Sequence, residues 1–511
     1  MSEVVLMQLP VWSPYSPPLG LALLKSYLAE RGVSATVMDV NVHAAAGRDE
    51  TQPDYWDMAQ GYNYCVNADA MRAYYDSHER FFREWMDRAA AENPAIIGFS
   101  CFAANLHVTK LFLADMKQHY PHIRYVLGGP EVASFMGNAD ELLAEGMADA
   151  ICLDEGEVAM EAYVREVRQP AGKPMPGLTY VHDGRRVPAG ELAYVRNLDE
   201  LPFPDYDDLD LGLYKLKGYL PSYATRGCLN KCVYCSARGF MKRFRYRTAE
   251  RMYAEVLHLK ECYPDTVFIR MADNISNGHI GELEKFCDLM IEHNPGVQWN
   301  LENAVIRKEM RTPLYKKLKA AGCTLLGYGL ETPSPHLLER IGKRLSKGVD
   351  LVKVLQEGKE AGLYVVANVM FGLPGETEQE FDYLLDFMAE HRDALDMINP
   401  SLTFCEFYPG SLGAEHPEEY GLDLGMGTLF WKTVDGTNTY PVRMRRFERF
   451  CKRAKEYGLD NLFQVDELPN KHELLFRYYV TSGEQDKALA CYGNIPQADL
   501  SAELRGMREA L

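Results

Sequence analysis

The chain has 511 residues, too many for one ordinary hydrophobic core, so we expect two or three domains. Acidic residues outnumber basic residues by 73 to 55, and the resulting net charge of −18 makes the overall surface repel nucleic acid and anionic membranes. No apolar run approaches the ~20 residues that are needed to cross a bilayer. These totals predict an acidic globular protein with no nucleic-acid partner and no membrane span.

The 12 cysteines are scattered along the chain and show none of the paired spacings of a disulfide framework. The first residues, 1–6, lack the basic flank and cleavage site of a secretory signal peptide. Reduced thiols are typical of the cytosol. We therefore expect a cytoplasmic protein.

Residues 1–170 alternate apolar runs with stretches of helical periodicity. The first run, Val4–Met7, precedes a proline-rich loop, a helical pattern over 19–31 and a second apolar run at 33–37. This β-loop-α-β order predicts a domain with a Rossmann-like, doubly wound parallel sheet. Three more strands of that sheet are predicted at 95–100, 124–127 and 148–153.

The loops that follow these predicted strands contain proline, glycine and acidic residues. In doubly wound sheets ligands bind beyond the carboxyl ends of the strands, where glycine lets the main chain approach the ligand closely. The candidate binding residues at this edge are Pro17, Leu19, Gly98, Ser100, Gly128, Gly129, Glu155 and Gly156.

Residues 171–217 are rich in proline and acidic side chains, and we interpret them as a linker. Between 218 and 402 the chain alternates strand and helix six times, which predicts a partial (β/α)6 barrel. From 403 to 511 this alternation is lost, and we expect a mostly helical C-terminal region. The predicted barrel strands are 219–225, 267–271, 297–301, 324–326, 364–370 and 397–402.

The loop after the first predicted barrel strand contains Cys228, Cys232 and Cys235. Thiolates are the usual protein ligands of iron–sulfur clusters, and three of them can bind three irons of a [4Fe–4S] cluster. The fourth iron then keeps an open coordination position, which is a site for chemistry. The alternatives are a zinc knuckle, for which the neighbouring loop lacks a fourth cysteine or histidine, and three incidental cysteines.

The C-x3-C-x2-C spacing, with Tyr234 before the last cysteine, resembles the signature of radical S-adenosylmethionine (SAM) enzymes. In that family the free iron binds the amino and carboxylate groups of SAM, and an electron from the cluster cleaves SAM to a 5′-deoxyadenosyl radical. The first domain, with its Ser-Pro-Pro-Leu-Gly-Leu-Ala, Leu-Gly-Gly-Pro and Gly-Glu sequences, is similar to the cobalamin-binding domain of many of these enzymes. The chain thus resembles a cobalamin-dependent radical SAM enzyme over residues 1–410, and 403–511 would shape the substrate site.

The resemblance places the SAM contacts at the ends of barrel strands two, four and five, on Asp273 and Asn274, on Gly327, Gly329 and Glu331, and on Phe371, Gly372 and Leu373. The implied partners are, in that order, the amino group of SAM, its ribose and methionine, and its adenine. Asn303 and Arg307 are further candidates for the SAM carboxylate. Each position also has a structural alternative, such as a helix cap for Asp273 or an ion pair for Glu331.

The cobalamin assignment rests on the eight residues at the sheet edge and on the order of the domain. The Asp-x-His-x-x-Gly sequence that supplies a lower axial histidine in other cobalamin proteins is absent, so the lower ligand of the cobalt is unassigned. The alternative is a Rossmann-like domain that binds no cofactor.

The implied activity is methylation of an unactivated carbon in a small-molecule or peptide substrate, with methylcobalamin as the methyl donor. The implied partners also include a reducing electron donor of the flavodoxin or ferredoxin type. Three alternatives stay open: rearrangement or cyclisation without methyl transfer, radical chemistry without cobalamin, and a cluster carrier without catalysis.

Overall fold

The computed structural model describes residues 1–511 except 50–53, 58–64, 66, 134–135, 193, 242, 460, 462–466, 469 and 497–499. The described residues form two compact units, one of residues 1–222 with 254–268 and one of residues 223–253 with 269–511. No helix in this described part of the chain is long and apolar enough to cross a membrane.

The first unit is built on a seven-stranded sheet of order β2-β1-β3-β4-β5-β6-β7. Its strands are β1 (Val4–Gln8), β2 (Ala35–Asp39), β3 (Ile96–Ser100), β4 (Arg124–Gly128), β5 (Ala150–Cys152), β6 (Leu178–His182) and β7 (Arg185–Val187). Strands β1 to β5 pair in parallel, and β6 and β7 continue the sheet antiparallel. The doubly wound parallel sheet predicted from the sequence is confirmed, and β6 and β7 lie within the segment that was predicted as a linker.

Apolar side chains of β1 cover both faces of this sheet. Val5 and Met7 pack into one buried cluster, and Val4 and Leu6 pack into another. Alternation along a strand sends neighbouring side chains to opposite faces, so a continuous apolar run is expected where helices cover both faces. The helices are α1 (Leu19–Ala29), α2 (Val40–Ala46), α3 (Ala68–Ser77), α4 (Glu79–Ala91), α5 (Leu106–His119), α6 (Ala139–Ala144) and α7 (Gly156–Arg168).

A second sheet has six strands in the order β15-β14-β13-β12-β11-β8. Its strands are β8 (Tyr219–Ser222), β11 (Phe268–Met271), β12 (Gln298–Ala304), β13 (Cys323–Glu331), β14 (Tyr364–Val369) and β15 (Met397–Pro400), and a two-stranded ribbon joins β9 (Thr225–Arg226) to β10 (Arg245–Tyr246). Strands β12 to β15 pair in parallel, as expected for a partial barrel. Strand β13 runs five residues beyond its predicted end at 326, because the chain from Gly327 to Glu331 stays paired with β14.

The helices that follow these strands begin and end at recognisable signals. Thr377 and Glu380 form a reciprocal capping box at the start of Glu378–His391, and Asn294, with φ of 39°, ends Ile280–His293 in the left-handed conformation. The helices are α8 (Ala237–Phe240), α9 (Ala249–Cys262), α10 (Ile280–His293), α11 (Thr312–Ala320), α12 (Pro335–Arg340), α13 (Leu351–Glu360) and α14 (Glu378–His391).

The C-terminal region is mostly helical, as predicted. It contains α15 (Leu412–Glu415), α16 (Gly427–Phe430), α17 (Tyr440–Glu456), α18 (Lys471–Ser482), α19 (Gln485–Tyr492) and α20 (Ala502–Glu509), with a short antiparallel pair β16 (Leu422–Asp423) and β17 (Lys432–Thr433). The longest of these helices, α17, packs against α14 and β15 of the barrel. The C-terminal region therefore contributes a helix that packs on the barrel.

Candidate functional site

The three cysteines of the predicted cluster site lie on the loop that follows β9, and each is partly exposed to solvent. Gly227 precedes the loop with φ of +81°, and a Cβ at this position would overlap with the main-chain oxygen of Arg243. Only glycine meets both requirements, so the turn into the cysteine loop needs this residue.

The cysteine loop, residues 228–235, is held by main-chain hydrogen bonds to two distant segments. The N–H groups of Val233 and Lys231 donate to the carbonyls of Ile341 and Gly342, at 2.9 Å and 3.4 Å. The N–H of Gly413 donates to the carbonyl of Val233 at 2.8 Å. The loop therefore has a fixed path that is set by the protein main chain.

The donor set of this loop fits an iron–sulfur cluster. In a [4Fe–4S] cluster each thiolate binds its own iron, so the three sulfurs need not surround a single ion, and among the described residues no three His, Cys, Asp or Glu side chains do so. Burial raises the pKa of the Cys232 thiol to about 12, and the Lys343 ammonium opposes that rise. The N–H of Asn230 donates to the Cys228 sulfur at 3.4 Å, the kind of bond that stabilises a ligating sulfur.

Asp273, predicted to contact the SAM amino group, is buried just beyond β11. Its Oδ1 accepts hydrogen bonds from the N–H groups of Ala224 and Thr225 at 2.7 Å and 2.6 Å, so one carboxylate oxygen fixes the chain that enters the cysteine loop. Its Oδ2 is also buried and has no hydrogen bond to any described residue. Burial raises the pKa of Asp273 to about 6.

Asn274 and two further candidates tie the neighbouring strand ends together. The Oδ1 of Asn274 accepts from the N–H of Gly227 at 3.2 Å, and the Nδ2 of Asn303 donates to the carbonyl of Asp273 at 2.8 Å. Arg307 donates from Nη1 to the carbonyls of residues 277 and 278, at 3.0 Å and 3.1 Å. These side chains hold the main chain near the cysteine loop.

The end of β13 brings Gly329 and Glu331 next to Lys343. Glu331 adopts φ of 60°, which is uncommon for a residue other than glycine, and its Oε1 lies 2.6 Å from the Nζ of Lys343. A Cβ on Gly329 would lie 2.7 Å from each of these two atoms, so the absence of a side chain leaves room for the pair. A Cβ on Gly327 would overlap with the carbonyl oxygen of Glu302.

The loop after β14 contains the predicted adenine contacts Phe371, Gly372 and Leu373. The ring of Phe371 is buried, with its centroid 6.2 Å and 5.1 Å from those of Phe447 and Phe450 on helix α17. The carbonyl of Leu373 accepts from the Nδ2 of residue 438 at 3.4 Å. Phe371 thus supports the loop from within the core.

A buried ion pair joins this loop to the C-terminal region. The N–H of Gly372 donates to the Oε2 of Glu376 at 2.7 Å, and the same oxygen lies 2.6 Å from the Nη1 of Arg446 on α17. The side chains of Glu376 and Arg446 are 2% and 3% exposed. Burial raises the pKa of Glu376 to about 7, and Arg446 opposes that rise.

The edge of the first sheet carries an aromatic pair at the point where the strand order reverses. In sheets of order 2-1-3-4-5 ligands bind at the carboxyl ends of β1 and β3. Trp12 follows β1 and Phe102 follows β3, and their rings stack with centroids 3.8 Å apart, with Trp12 39% exposed. A Cβ on Gly129 would lie 2.5 Å from the carbonyl oxygen of Cys101, so this glycine allows two of the edge loops to approach closely.

The other edge residues predicted from the sequence occupy strand ends and helix starts. Ser100 and Gly128 end β3 and β4, Pro17 and Leu19 lie at the start of α1, and Glu155 and Gly156 lie at the start of α7. Gly98 lies inside β3, where a Cβ would be 3.2 Å from the side chain of Leu6.

Three functional candidates were not identified from the sequence. Lys343 and Arg446 become evident only when their carboxylate partners are brought next to them, 12 and 70 residues away along the chain. Trp12 had a weak signal in the sequence, because it stands in the proline-rich loop after the first predicted strand, where such sheets bind ligands.

Family models match both halves of this architecture. Residues 222–388 match the model of the radical SAM superfamily, and residues 13–164 match that of the B12 binding domain. The chain therefore belongs to the cobalamin-dependent radical SAM enzymes. The two domains imply the three predicted cofactors: a [4Fe–4S] cluster and SAM in one, and cobalamin in the other.

Curated relatives include both methyltransferases and a cyclase. The chain is 25% identical over 356 residues to an uncharacterized methyltransferase, PH0819, of Pyrococcus horikoshii, which covers 67% of this chain and 73% of the relative. It is 27% identical over 340 residues to the anaerobic magnesium-protoporphyrin IX monomethyl ester cyclase of Rubrivivax gelatinosus, which covers 63% of this chain and 58% of the cyclase. The match thus spans little more than half of the cyclase.

Two solved structures share the fold. The radical SAM methyltransferase TsrM of Kitasatospora setae, with its tryptophan substrate and a SAM analogue, superposes with a TM-score of 0.62 at 16% identity, over 82% of this chain and 76% of that one. The cobalamin-dependent SAM radical enzyme OxsB, with aqua-cobalamin and SAM, gives a TM-score of 0.64 at 16% identity, over 96% and 70%. At this level of identity the similarity establishes the fold.

Proposed function

We propose that this enzyme methylates an unactivated carbon of a small-molecule or peptide substrate. The observation that carries the proposal is the combination, in one chain, of a fixed three-cysteine loop and a B12 binding domain. When bound, the cluster and SAM supply a radical that removes hydrogen from carbon, and cobalamin supplies the methyl group. The methyltransferase names of PH0819 and TsrM support this choice.

The residues of the chain hold the reacting groups and do little of the chemistry themselves. Cys228, Cys232 and Cys235 would bind three irons of the cluster, and the main-chain bonds to 341–342 and 413 keep the loop in place. The buried Oδ2 of Asp273 supports the proposed contact with a positively charged group such as the SAM amino group. Fixed positions of this kind lower the entropic cost of bringing the reactants together.

Cyclisation without methyl transfer is the second candidate function. The similarity to the protoporphyrin ester cyclase supports it, because that protein is 27% identical over 340 residues of this chain. A reducing electron donor of the flavodoxin or ferredoxin type is part of both proposals.

The test uses anaerobically reconstituted protein, SAM with a trideuterated methyl group, and a small-molecule extract of the cells from which the gene comes. We expect release of 5′-deoxyadenosine together with a product that carries the labelled methyl group. The Cys228→Ala variant is the matched control, and both signals should vanish in it. A product of altered mass without label would favour cyclisation, and persistence of 5′-deoxyadenosine in the control would refute radical chemistry at this loop.

A further inference from the structure

Lys343 is a buried cation next to the cysteine loop. Its side chain is 4% exposed, and its Nζ lies 2.6 Å from the Oε1 of Glu331 and also donates to the carbonyl of Gly329. Burying a charged ammonium is costly unless it is paired and hydrogen-bonded, and this site provides both partners. Gly329 contributes in a second way, because any side chain there would collide with the pair.

The main chain beside Lys343 is the same segment that holds the cysteine loop. The carbonyls of Ile341 and Gly342 accept the hydrogen bonds from Val233 and Lys231, so the ammonium has a fixed place relative to the three sulfurs. A Cβ on Gly342, the residue before Lys343, would lie 3.8 Å from the main-chain nitrogen of Cys232, so the segment that carries the ammonium runs directly against the cysteine loop.

We propose that the Lys343–Glu331 pair sets the reduction potential of the cluster bound by this loop, with Lys343 raising the potential and Glu331 lowering it. Reduction transfers one electron from the donor to the cluster, and no bond forms or breaks in this step. A fixed positive charge stabilises the more negative, reduced cluster. Because the pair is buried, salt and water screen its field less than that of a surface charge. The role is the same whether the product is methylated or cyclised.

The test is an anaerobic redox titration of the reconstituted full-length protein without SAM, followed by the electron paramagnetic resonance signal of the reduced cluster. We expect the midpoint potential to move to a more negative value in Lys343→Met and to a more positive value in Glu331→Gln. Opposite shifts distinguish a charge effect from damage to the site, because both variants break the same ion pair and would cause the same structural loss.

Two controls accompany the titration. Lys347→Met removes an ammonium that is 67% exposed and paired with Glu339, and it should leave the potential unchanged. Lys343→Arg keeps the charge and should retain a potential near that of the unmodified protein. Iron and sulfide per chain report whether each variant keeps its cluster.

The inference is overturned if neither variant shifts the potential more than Lys347→Met does, or if both shift it in the same direction. If Lys343→Met fails to retain a cluster, the isosteric Glu331→Gln variant decides. A positive shift there supports the inference, and an unchanged or negative shift refutes it.

Discussion

Replacing Arg446 with methionine should destabilise the second compact unit severely. The guanidinium and the Glu376 carboxylate are both almost fully buried and lie 2.6 Å apart. The variant keeps most of the apolar stem of the side chain and leaves a carboxyl group in the core with no counter-charge. Removing one partner of a buried pair costs about 3–5 kcal/mol.

The pKa of Glu376 shows that the pair offsets burial only in part. Burial raises this pKa from 4.5 to about 7 with Arg446 present, and Arg446 opposes the rise. Without Arg446 the pKa would rise further, so the variant would fold with a neutral carboxyl group at a working pH of ~7.5. The variant therefore loses the charge-assisted hydrogen bonds of the pair and takes up a proton on folding.

The assay is thermal unfolding of the cluster-free protein. For a unit of this size each kcal/mol lowers Tm by roughly 2–4 °C, so the expected loss is on the order of 10 °C. Arg449→Met is the matched control on the same helix, since Arg449 is 47% exposed and pairs with Glu378 and Asp382 at the surface. Its effect should stay within about 1 kcal/mol.

The double variant Arg446→Met/Glu376→Gln decides whether charge is the cause. Removing both charges leaves no buried ion, so the double variant should regain most of the stability that the single variant loses. A double variant as unstable as Arg446→Met would refute the electrostatic reasoning and assign the loss to packing.

Three other predictions concern the two cofactor regions. Gly342→Ala should lower the iron and sulfide content per chain, because the added Cβ would overlap with the main chain of the cysteine loop. Gly436 has a similar positive φ and open space around it, so the control Gly436→Ala should keep the full cluster content. In Asp273→Asn the stability of the cluster-free protein should depend less on pH between about 4 and 6. The raised pKa of Asp273 means that the folded protein binds this proton more tightly than the unfolded chain does. Ionisation of the carboxyl group therefore lowers the stability of the unmodified protein by up to ~3 kcal/mol as pH rises through that window. An equal dependence of stability on pH in the variant and in the unmodified protein would contradict this prediction. Trp12→Ala removes one of the two rings of the stack with Phe102. This variant should retain less corrinoid per chain after gel filtration, with an unchanged iron content. Unchanged corrinoid retention would place the cobalamin site elsewhere.

The order of strands and helices was predictable because each element has its own local signal. Strand β1 is a continuous apolar run, and helix α14 begins at a capping box that is visible in four consecutive residues. The cysteine loop was predictable for the same reason, since its three ligands lie within eight residues. The extension of β13 to Glu331 was not predictable, because glycines at 327 and 329 are poor strand residues and only pairing with β14 keeps them extended.

The partners of the site residues could not be read from the sequence. Lys343 looks like any lysine after a helix, and Arg446 looks like one of several arginines along α17. Their importance arises from burial beside Glu331 and Glu376, which is a property of tertiary packing. The sequence also provides no local signal for the aromatic stack of Trp12 with Phe102, because these residues lie on different loops.

The main-chain bonds of Lys231, Val233 and Gly413 have a consequence for how the enzyme matures. In small zinc domains the metal itself drives folding, and a chelator unfolds them. Here hydrogen bonds within the chain fix the cysteine loop. The conformational entropy of the loop is therefore lost when the chain folds and not when the cluster binds. An assembly scaffold that delivers a preformed cluster would therefore meet a folded acceptor, and a cluster lost to oxygen could be replaced without refolding the protein.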